Sequence, residues 1–199
     1  MPLFELWFPE ARTDAGLRNP DAMVVATSTP DGRPSARVVL CKALVVDPGY
    51  IVFYTNYDSR KGHELDANAR ASAVFHWDAL GRQARLEGMV ARSPAEESDA
   101  YFASRALDSR IGAWASLQSQ PLDSRRTLLK RVATEAARFG MSVPRPPHWG
   151  GFRLWPEAVE LWSEGAFRVH DRARWTRAVE PDGPAGFRAG PWRATRLYP

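Results

Sequence analysis

Arg37, Lys42, Arg60 and Lys61 punctuate a stretch that is otherwise largely apolar: Arg37-Val38-Val39-Leu40-Cys41-Lys42, then Ile51 to Asn56, then Ser59-Arg60-Lys61. Strands bury apolar faces, so cations placed among them need a partner, and a phosphorylated ligand is a good one. Ser59-Arg60-Lys61 opens a helical stretch, and the free N–H groups and positive dipole end of a helix start also suit an anion. An ordinary hairpin with solvated Arg and Lys tips accounts for the same residues. Arg37 and Lys42 point to opposite faces of a regular strand, so both reach one ligand only if the strand bulges or one acts from an end.

Two further groups have suggestive spacing. Tyr101, Arg105 and Ser109 fall at i, i+4 and i+8. On one continuous helix they share a face, and a phenol, a guanidinium and a hydroxyl together make a phosphate clamp. The alternative is a core Tyr101, a snorkelling Arg105 and a Ser109 that caps a new helix after a break at Asp108-Ser109. Arg168, His170 and Arg172 alternate with Val169 and Asp171, so on a strand from Phe167 to Arg177 they occupy one face. Cationic groups so placed repel unless an anion or an electron-rich ring lies among them, and a solvated strand face is the alternative.

The elements that must carry these groups follow from pattern. The β-branched and aromatic runs flanking Asp47-Pro48-Gly49 read as an antiparallel strand pair, Arg37–Lys42 with Ile51–Asn56. A short amphipathic helix is expected within residues 3–17, and Met23 to Thr27 is a strand. Ala71–Trp77 and Gln83–Ala91 form another pair. Ser93-Pro94-Ala95-Glu96 reads as a helix start with Ser93 as N-cap, and Asp123–Phe139 as a helix ending at Gly140. Phe152–Trp155, Ala158–Trp162 and Trp192–Leu197 are strands, and Glu180–Pro191 a Pro- and Gly-rich loop.

With 199 residues, one domain is the simplest count, and 44% hydrophobic with 25% charged residues is ordinary for a globular chain. A net charge of +4 and a pI near 9.6 suit anionic ligands. The basic residues are scattered along the chain, which weakens a nucleic-acid reading. The single cysteine, Cys41, excludes an internal disulfide, and His63, His76, His148 and His170 form no metal-spaced pair, so no metal is expected. No charged leader with a long apolar core opens the chain, and no apolar run approaches the roughly 18 residues of a membrane span. A cytoplasmic protein without membrane or nucleic-acid partners is expected.

Arg37 to Lys42, followed by Phe53-Tyr54-Thr55-Asn56-Tyr57-Asp58-Ser59-Arg60-Lys61-Gly62, resembles the flavin-binding signature of the pyridoxamine (pyridoxine) 5′-phosphate oxidase family. The resemblance runs from Asn19-Pro20-Asp21-Ala22-Met23 to Arg196-Leu197-Tyr198-Pro199. It implies a mainly β (α+β) fold, an antiparallel split β-barrel with inserted helices that binds FMN at a homodimer interface. It implies cofactor contacts at Arg37, Val38, Val39, Leu40, Cys41, Lys42, Tyr54, Thr55, Arg60, Lys61, Gln83, Trp162 and Arg172. Gln118 and Ser119 match further flavin contacts, implied to come from the partner subunit, and Arg82 pairs with Gln83 in the same match.

Substrate contacts are implied at Lys42, Tyr101, Arg105, Ser109, Arg168, Val169 and His170, with Arg168 and His170 holding the substrate ring over the flavin as the catalytic pair. The implied reaction is oxidation of pyridoxamine or pyridoxine 5′-phosphate to pyridoxal 5′-phosphate, with O2 as acceptor and H2O2 as product. Alternatives are a related flavin oxidase of the phenazine-biosynthesis type, or a non-enzymatic flavin- or pyridoxal-phosphate-binding protein. Retained Lys42, Tyr101, Arg105 and Ser109 argue against the first, since a substrate without phosphate would not need them. Ala106-Leu107 departs from the Pro-Arg frequent in the family at this point.

Overall fold

The computed structural model describes residues 1–183 and 186–199. Helix α1 (Phe4–Thr13) precedes strands β1 (Ala22–Ser28), β2 (Pro34–Leu40), β3 (Ala43–Val45) and β4 (Tyr50–Asn56). Helix α2 (Arg60–Ala67) leads to β5 (Arg70–Trp77) and β6 (Arg82–Arg92). Three helices, α3 (Ala95–Ser104), α4 (Leu107–Ala115) and α5 (Arg125–Phe139), then form an excursion before β7 (Trp149–Ser163). The remaining strands are β8 (Asp171–Thr176), β9 (Val179–Pro181), β10 (Phe187–Ala189) and β11 (Arg193–Leu197). No helix among the described residues is long and apolar enough to cross a membrane.

One antiparallel sheet runs β11-β8-β7-β6-β5-β1-β2, and β7 carries two neighbours on its second edge. Its first part pairs with β4, from Trp149↔Asn56 to Leu154↔Ile51, and its last part with β8, from Ala158↔Thr176 to Ser163↔Asp171. The sheet thereby curls into a split β-barrel. Between β2 and β4 there is no strand ladder among the described residues; they are linked at one end, where the Lys42 N–H donates to the Val52 carbonyl at 2.8 Å. That open seam is where the cleft forms.

Strand alternation builds the core. Met23, Val25 and Thr27 of β1 and Ala71, Ala73, Phe75 and Trp77 of β5 turn inward. Phe4 and Phe8, one helical turn apart on α1, close on Phe75 at ring distances of 5.2 and 5.5 Å. Each such buried ring contributes roughly 1.5–3 kcal/mol. A smaller cluster, Phe102, Ile111, Val143 and Trp149, seats the helical excursion on β7.

Several expectations are corrected. Arg37 does not lie on the strand that pairs with Ile51–Asn56. β2 ends at Leu40 and pairs with β1 (Val25↔Arg37), while the short β3 makes the hairpin with β4. Phe152–Trp155 and Ala158–Trp162 are one strand. Gly88 faces Pro156 and Glu87 faces Ala158, leaving Glu157 as a bulge that absorbs the proline's missing N–H. Gly88 is obligatory there, because a Cβ would lie 2.0 Å from the Trp155 carbonyl oxygen. The last cationic strand begins only at Asp171. Phe167 and Arg168 form a tight turn with φ of 56° and 63°, so the one-face alternation of Arg168, His170 and Arg172 does not hold.

Ser93 is not the cap of α3, which starts at Ala95 after Pro94; the Ser93 N–H instead donates to the Gly151 carbonyl at 2.9 Å. The N-terminal helix continues through Pro9 but stops at Thr13, short of Leu17. The Glu180–Pro191 loop contains the β9–β10 pair; residues 184–185 of it lie outside the described residues.

Candidate active site

A cleft of about 1010 Å³ opens over the seam. β2, Lys42, the end of β4, the start of α2, the α3–α4 pair and residues 116–119 wall it. Of the residues singled out from sequence, the fold brings together Arg37, Val38, Val39, Leu40, Lys42, Tyr54, Thr55, Arg60, Lys61, Tyr101, Arg105, Ser109, Gln118 and Ser119. Lys42 joins Arg37 because β2 stops after Leu40 and the chain restarts as β3, so strand parity no longer applies. Cys41 is the exception in this segment. It is fully buried in the core, its thiol directed at the Ala43 carbonyl, and burial, with the charge of Asp21, pushes its pKa up to about 12. Its side chain is no cleft contact.

At the α2 end the cleft holds a buried cation. Ser59 caps α2 by accepting from the Gly62 N–H, which presents Lys61 inward. Lys61 Nζ donates to Thr55 Oγ1 at 2.8 Å, Ser59 Oγ at 3.0 Å and Gln118 Oε1 at 2.7 Å. Lys61 is only 7% exposed and has no carboxylate partner among the described residues. Burial, reinforced by the charge of Arg37, lowers its pKa to about 8. The contact with Gln118 is made within one chain, so Gln118 also meets the cation of its own subunit.

Arg37 and Arg60 are arranged differently. Both bond Glu64, Arg37 Nη2 at 3.3 Å and Arg60 Nε at 2.8 Å. Thr27 and Ser35 hydroxyls donate to the same carboxylate, each at 2.5 Å. Burial alone would raise the Glu64 pKa, but the four donors outweigh it and hold the group down at about 2. Sequence reading missed Glu64, although its i, i+4 spacing from Arg60 was visible.

On the opposite wall the helix carrying Tyr101 breaks. Arg105 and Ala106 are extended, with ψ of 150° and 146°, so α3 and α4 are separate helices and the break falls three residues before Ser109. Tyr101, Arg105 and Ser109 still all line the cleft. Tyr101 stacks on Tyr54 at 3.9 Å, and Tyr54 on Trp149 at 5.5 Å. Arg105 lies over Trp149 with Cζ 4.7 Å from the ring centre. Its Nη1 is buried without a hydrogen-bond partner, and burial lowers its pKa against the opposing pull of Tyr101.

Gln83, Trp162, Arg168, Val169, His170 and Arg172 do not line this cleft within one chain. They form a second group on β6, β7 and the turn into β8. Gln83 pairs with Trp162 and Trp162 with Arg172 across the sheet. The His170 ring sits 4.6 Å from that of Trp162, and its Nδ1 accepts from the Gly165 N–H at 3.2 Å. Arg172 bonds Glu160 at 2.8 Å and the Tyr198 carbonyl at 2.9 Å. Arg82 is tied to Glu10 at 2.6 Å. Beside this group Phe167 is 99% and Val169 70% exposed, large apolar side chains held outward by a strained turn.

Known proteins resemble this chain in sequence and fold. A family model described as pyridoxamine 5′-phosphate oxidase matches residues 9–139, and one described as the pyridoxine 5′-phosphate oxidase C-terminal dimerisation region matches residues 149–199. A pyridoxine/pyridoxamine 5′-phosphate oxidase from Burkholderia vietnamiensis is 52% identical over 196 residues, covering 98% of this chain and 87% of its own. The protein of the same name from Rhodospirillum rubrum is 50% identical over 201 residues, covering 99% and 94%. Among solved structures, PhzG from Burkholderia lata 383 in complex with tetrahydrophenazine-1-carboxylic acid superposes with a TM-score of 0.86 at 32% identity, covering 99% of this chain and 91% of that one. A pyridoxamine 5′-phosphate oxidase-related, FMN-binding protein from Nostoc punctiforme shares the fold at a TM-score of 0.73 and 14% identity, covering 100% and 98%. With both models matched and half of its residues identical to such relatives over nearly its whole length, the chain belongs to the pyridoxamine 5′-phosphate oxidase family.

Proposed function

We propose that this chain is a single-domain, FMN-dependent oxidase that converts pyridoxamine and pyridoxine 5′-phosphate to pyridoxal 5′-phosphate, working as a homodimer with O2 as acceptor. The observation that carries this reading is the pair of uncommitted cations in one cleft. Lys61 is buried with hydrogen-bond acceptors but no counter-charge among the described residues, and the half-buried Arg105 holds a buried, orphaned N–H. A phosphorylated cofactor and a phosphorylated substrate account for both.

The donor set fits FMN. Lys61, with Arg37 and Arg60 steadied by Glu64, holds the cofactor phosphate, and Thr55, Gln118 and Ser119 offer the hydroxyls and amide that suit a flavin. Bound flavin would supply the two-electron acceptance that takes the substrate's alcohol carbon to an aldehyde, or its amine carbon to an imine that water hydrolyses to the aldehyde with release of ammonia, and would pass the electrons on to O2. The protein's part is positional. Lys42, Tyr101, Arg105 and Ser109 hold the substrate phosphate, and Arg168 and His170 hold its ring in place.

Arg168 and His170 lie away from the cleft of their own chain, so the partner subunit supplies them, with Gln83, Trp162 and Arg172, through a two-fold contact. The match of residues 149–199 to a dimerisation region and the outward Phe167 and Val169 support this arrangement.

Turnover of pyridoxamine 5′-phosphate under O2, followed as aldehyde and H2O2, tests the reading. Flavin-loaded protein that forms neither would be a binding protein. Activity confined to a phenazine precursor would favour the reading that the likeness to PhzG suggests. His170→Ala is expected to lower turnover by about ten-fold or more, the order of a lost charge-assisted hydrogen bond, with FMN retained. Release of flavin with normal turnover on its restoration would make His170 a cofactor ligand instead.

A further inference from the structure

We infer that Trp149 is the positioning residue for Arg105, holding its guanidinium on an aromatic face so that its charge stays uncommitted until the substrate phosphate arrives. The inference rests on the reading of Arg105 as a phosphate ligand. Several half-buried arginines of this chain are tied to carboxylates, Arg37 to Glu64, Arg172 to Glu160, Arg145 to Asp99 and Arg153 to Glu97, and others to backbone carbonyls, Arg131 to that of Ala115 and Arg177 to those of Pro48, Gly49 and Pro156. Arg105 has no carboxylate among the described residues. What it has is the Trp149 ring at 4.7 Å and, further off, Phe102 at 5.6 Å.

The difference has a physical consequence. A carboxylate orients a guanidinium but cancels its charge, and an incoming phosphate must then compete with it. An aromatic face attracts the cation through its quadrupole and leaves the N–H edge free. The orphaned Nη1 is such an edge. The backbone does not perform this task, because Arg105 sits where α3 has already ended.

Trp149 is itself fixed. Its plane lies 9° from that of Tyr54 and 7° from that of Tyr101, and it meets Phe102 edge-on at 5.1 Å. Its backbone N–H donates to the Pro146 carbonyl at 3.1 Å, and its backbone carbonyl accepts from Arg145 at 2.7 Å. One aromatic platform therefore sets both the phenol of Tyr101 and the guanidinium of Arg105.

The test is a double-mutant cycle read in KM and kcat with pyridoxamine 5′-phosphate, beside a measurement of FMN affinity by flavin fluorescence. Trp149→Leu should raise KM about five- to twenty-fold, the span of a desolvated cation–π contact, with kcat and FMN affinity nearly unchanged. Trp149→Phe, which keeps a ring in the cluster, should lose less and decides the question on the same criteria if the leucine variant does not fold. In an Arg105→Ala background, itself expected to raise KM about ten- to hundred-fold, Trp149→Leu should cost clearly less than in wild type, the remainder acting through Tyr101. Unphosphorylated pyridoxamine should be used equally well by wild type and Trp149→Leu. Equal losses from Trp149→Leu with and without Arg105, or an unchanged KM while Arg105→Ala raises it, would overturn the seat alone. If Arg105→Ala leaves KM unchanged, the phosphate reading of Arg105 falls, and the seat with it.

Discussion

Lys61→Met should weaken FMN binding about ten- to hundred-fold, the order of one lost charge-assisted hydrogen bond, and at the same time stabilise the flavin-free protein. Both effects come from one fact: the ammonium is buried with three neutral acceptors and no anion among the described residues. Without cofactor, that burial is a penalty, and methionine of similar length removes it. With FMN bound as proposed, the same charge would meet the phosphate.

The pH dependence follows from the lowered pKa. The unfolded chain takes up the proton below the ordinary value of 10.5, the folded chain only below about 8, so between those values the unfolded state binds more protons. Stability of the flavin-free protein therefore rises with pH across that window, and the penalty is fully present below it. Denaturant titrations of wild type and Lys61→Met at several pH values, beside FMN and riboflavin affinities, check both parts. Unchanged FMN affinity, or a variant less stable than wild type without flavin, would refute the assignment.

Glu64→Ala should destabilise the protein by about 3–5 kcal/mol, the usual result of removing one partner of a buried ion pair, which for a chain of this size lowers Tm by about 10 °C. The carboxylate gathers Thr27 of β1, Ser35 and Arg37 of β2 and Arg60 of α2, and its loss leaves hydroxyls and guanidinium groups unpaired together. Glu64→Gln keeps one acceptor oxygen for the arginines and should lose less. The folded-state pKa is depressed, so this stabilisation is complete above the ordinary value of 4.5 and disappears as pH falls towards about 2. Scanning calorimetry against pH should show that acid-labile part in wild type and not in Glu64→Ala. Equal melting temperatures at pH 7 would show that the network contributes nothing.

Much of this site was legible in the sequence, for reasons that differ by residue. Ser59 before Arg60-Lys61 is a cap that local chemistry alone identifies, and it does hold Lys61 inward. Tyr101, Arg105 and Ser109 line one cleft although the geometric premise for grouping them does not hold: the helix breaks, and Tyr101 and Arg105 pack against Trp149. Alternation failed wherever the chain left regular geometry. Cys41 sits at the junction where β2 ends, and Phe167 and Arg168 take positive φ without being glycine, which residue type does not disclose. Pro156 read as a strand end, because the bulge that accommodates it depends on Gly88 of a strand distant in sequence. Trp149 lay hidden in a proline-rich run that reads as a loop.

The hydrogen bond from Ser93 to Gly151 has a consequence for how such proteins diversify. The polypeptide leaves the sheet after β6 and re-enters at β7 at points one hydrogen bond apart, so the segment between them is a cassette with adjoining ends. Tyr101, Arg105 and Ser109 ride on it, whereas Arg37, Arg60 and Lys61 belong to the barrel and its first helix after the hairpin. Three of the four residues assigned to the substrate phosphate thus sit on one contiguous block whose ends meet, together with Gln118 and Ser119 and the first residues of β7, which a graft must keep for the contacts to Lys61 and the pairing with β4. New substrates become accessible to an old flavoprotein through a graft at a single locus, and a chimaera joined at positions 93 and 151 is the shortest route to making one.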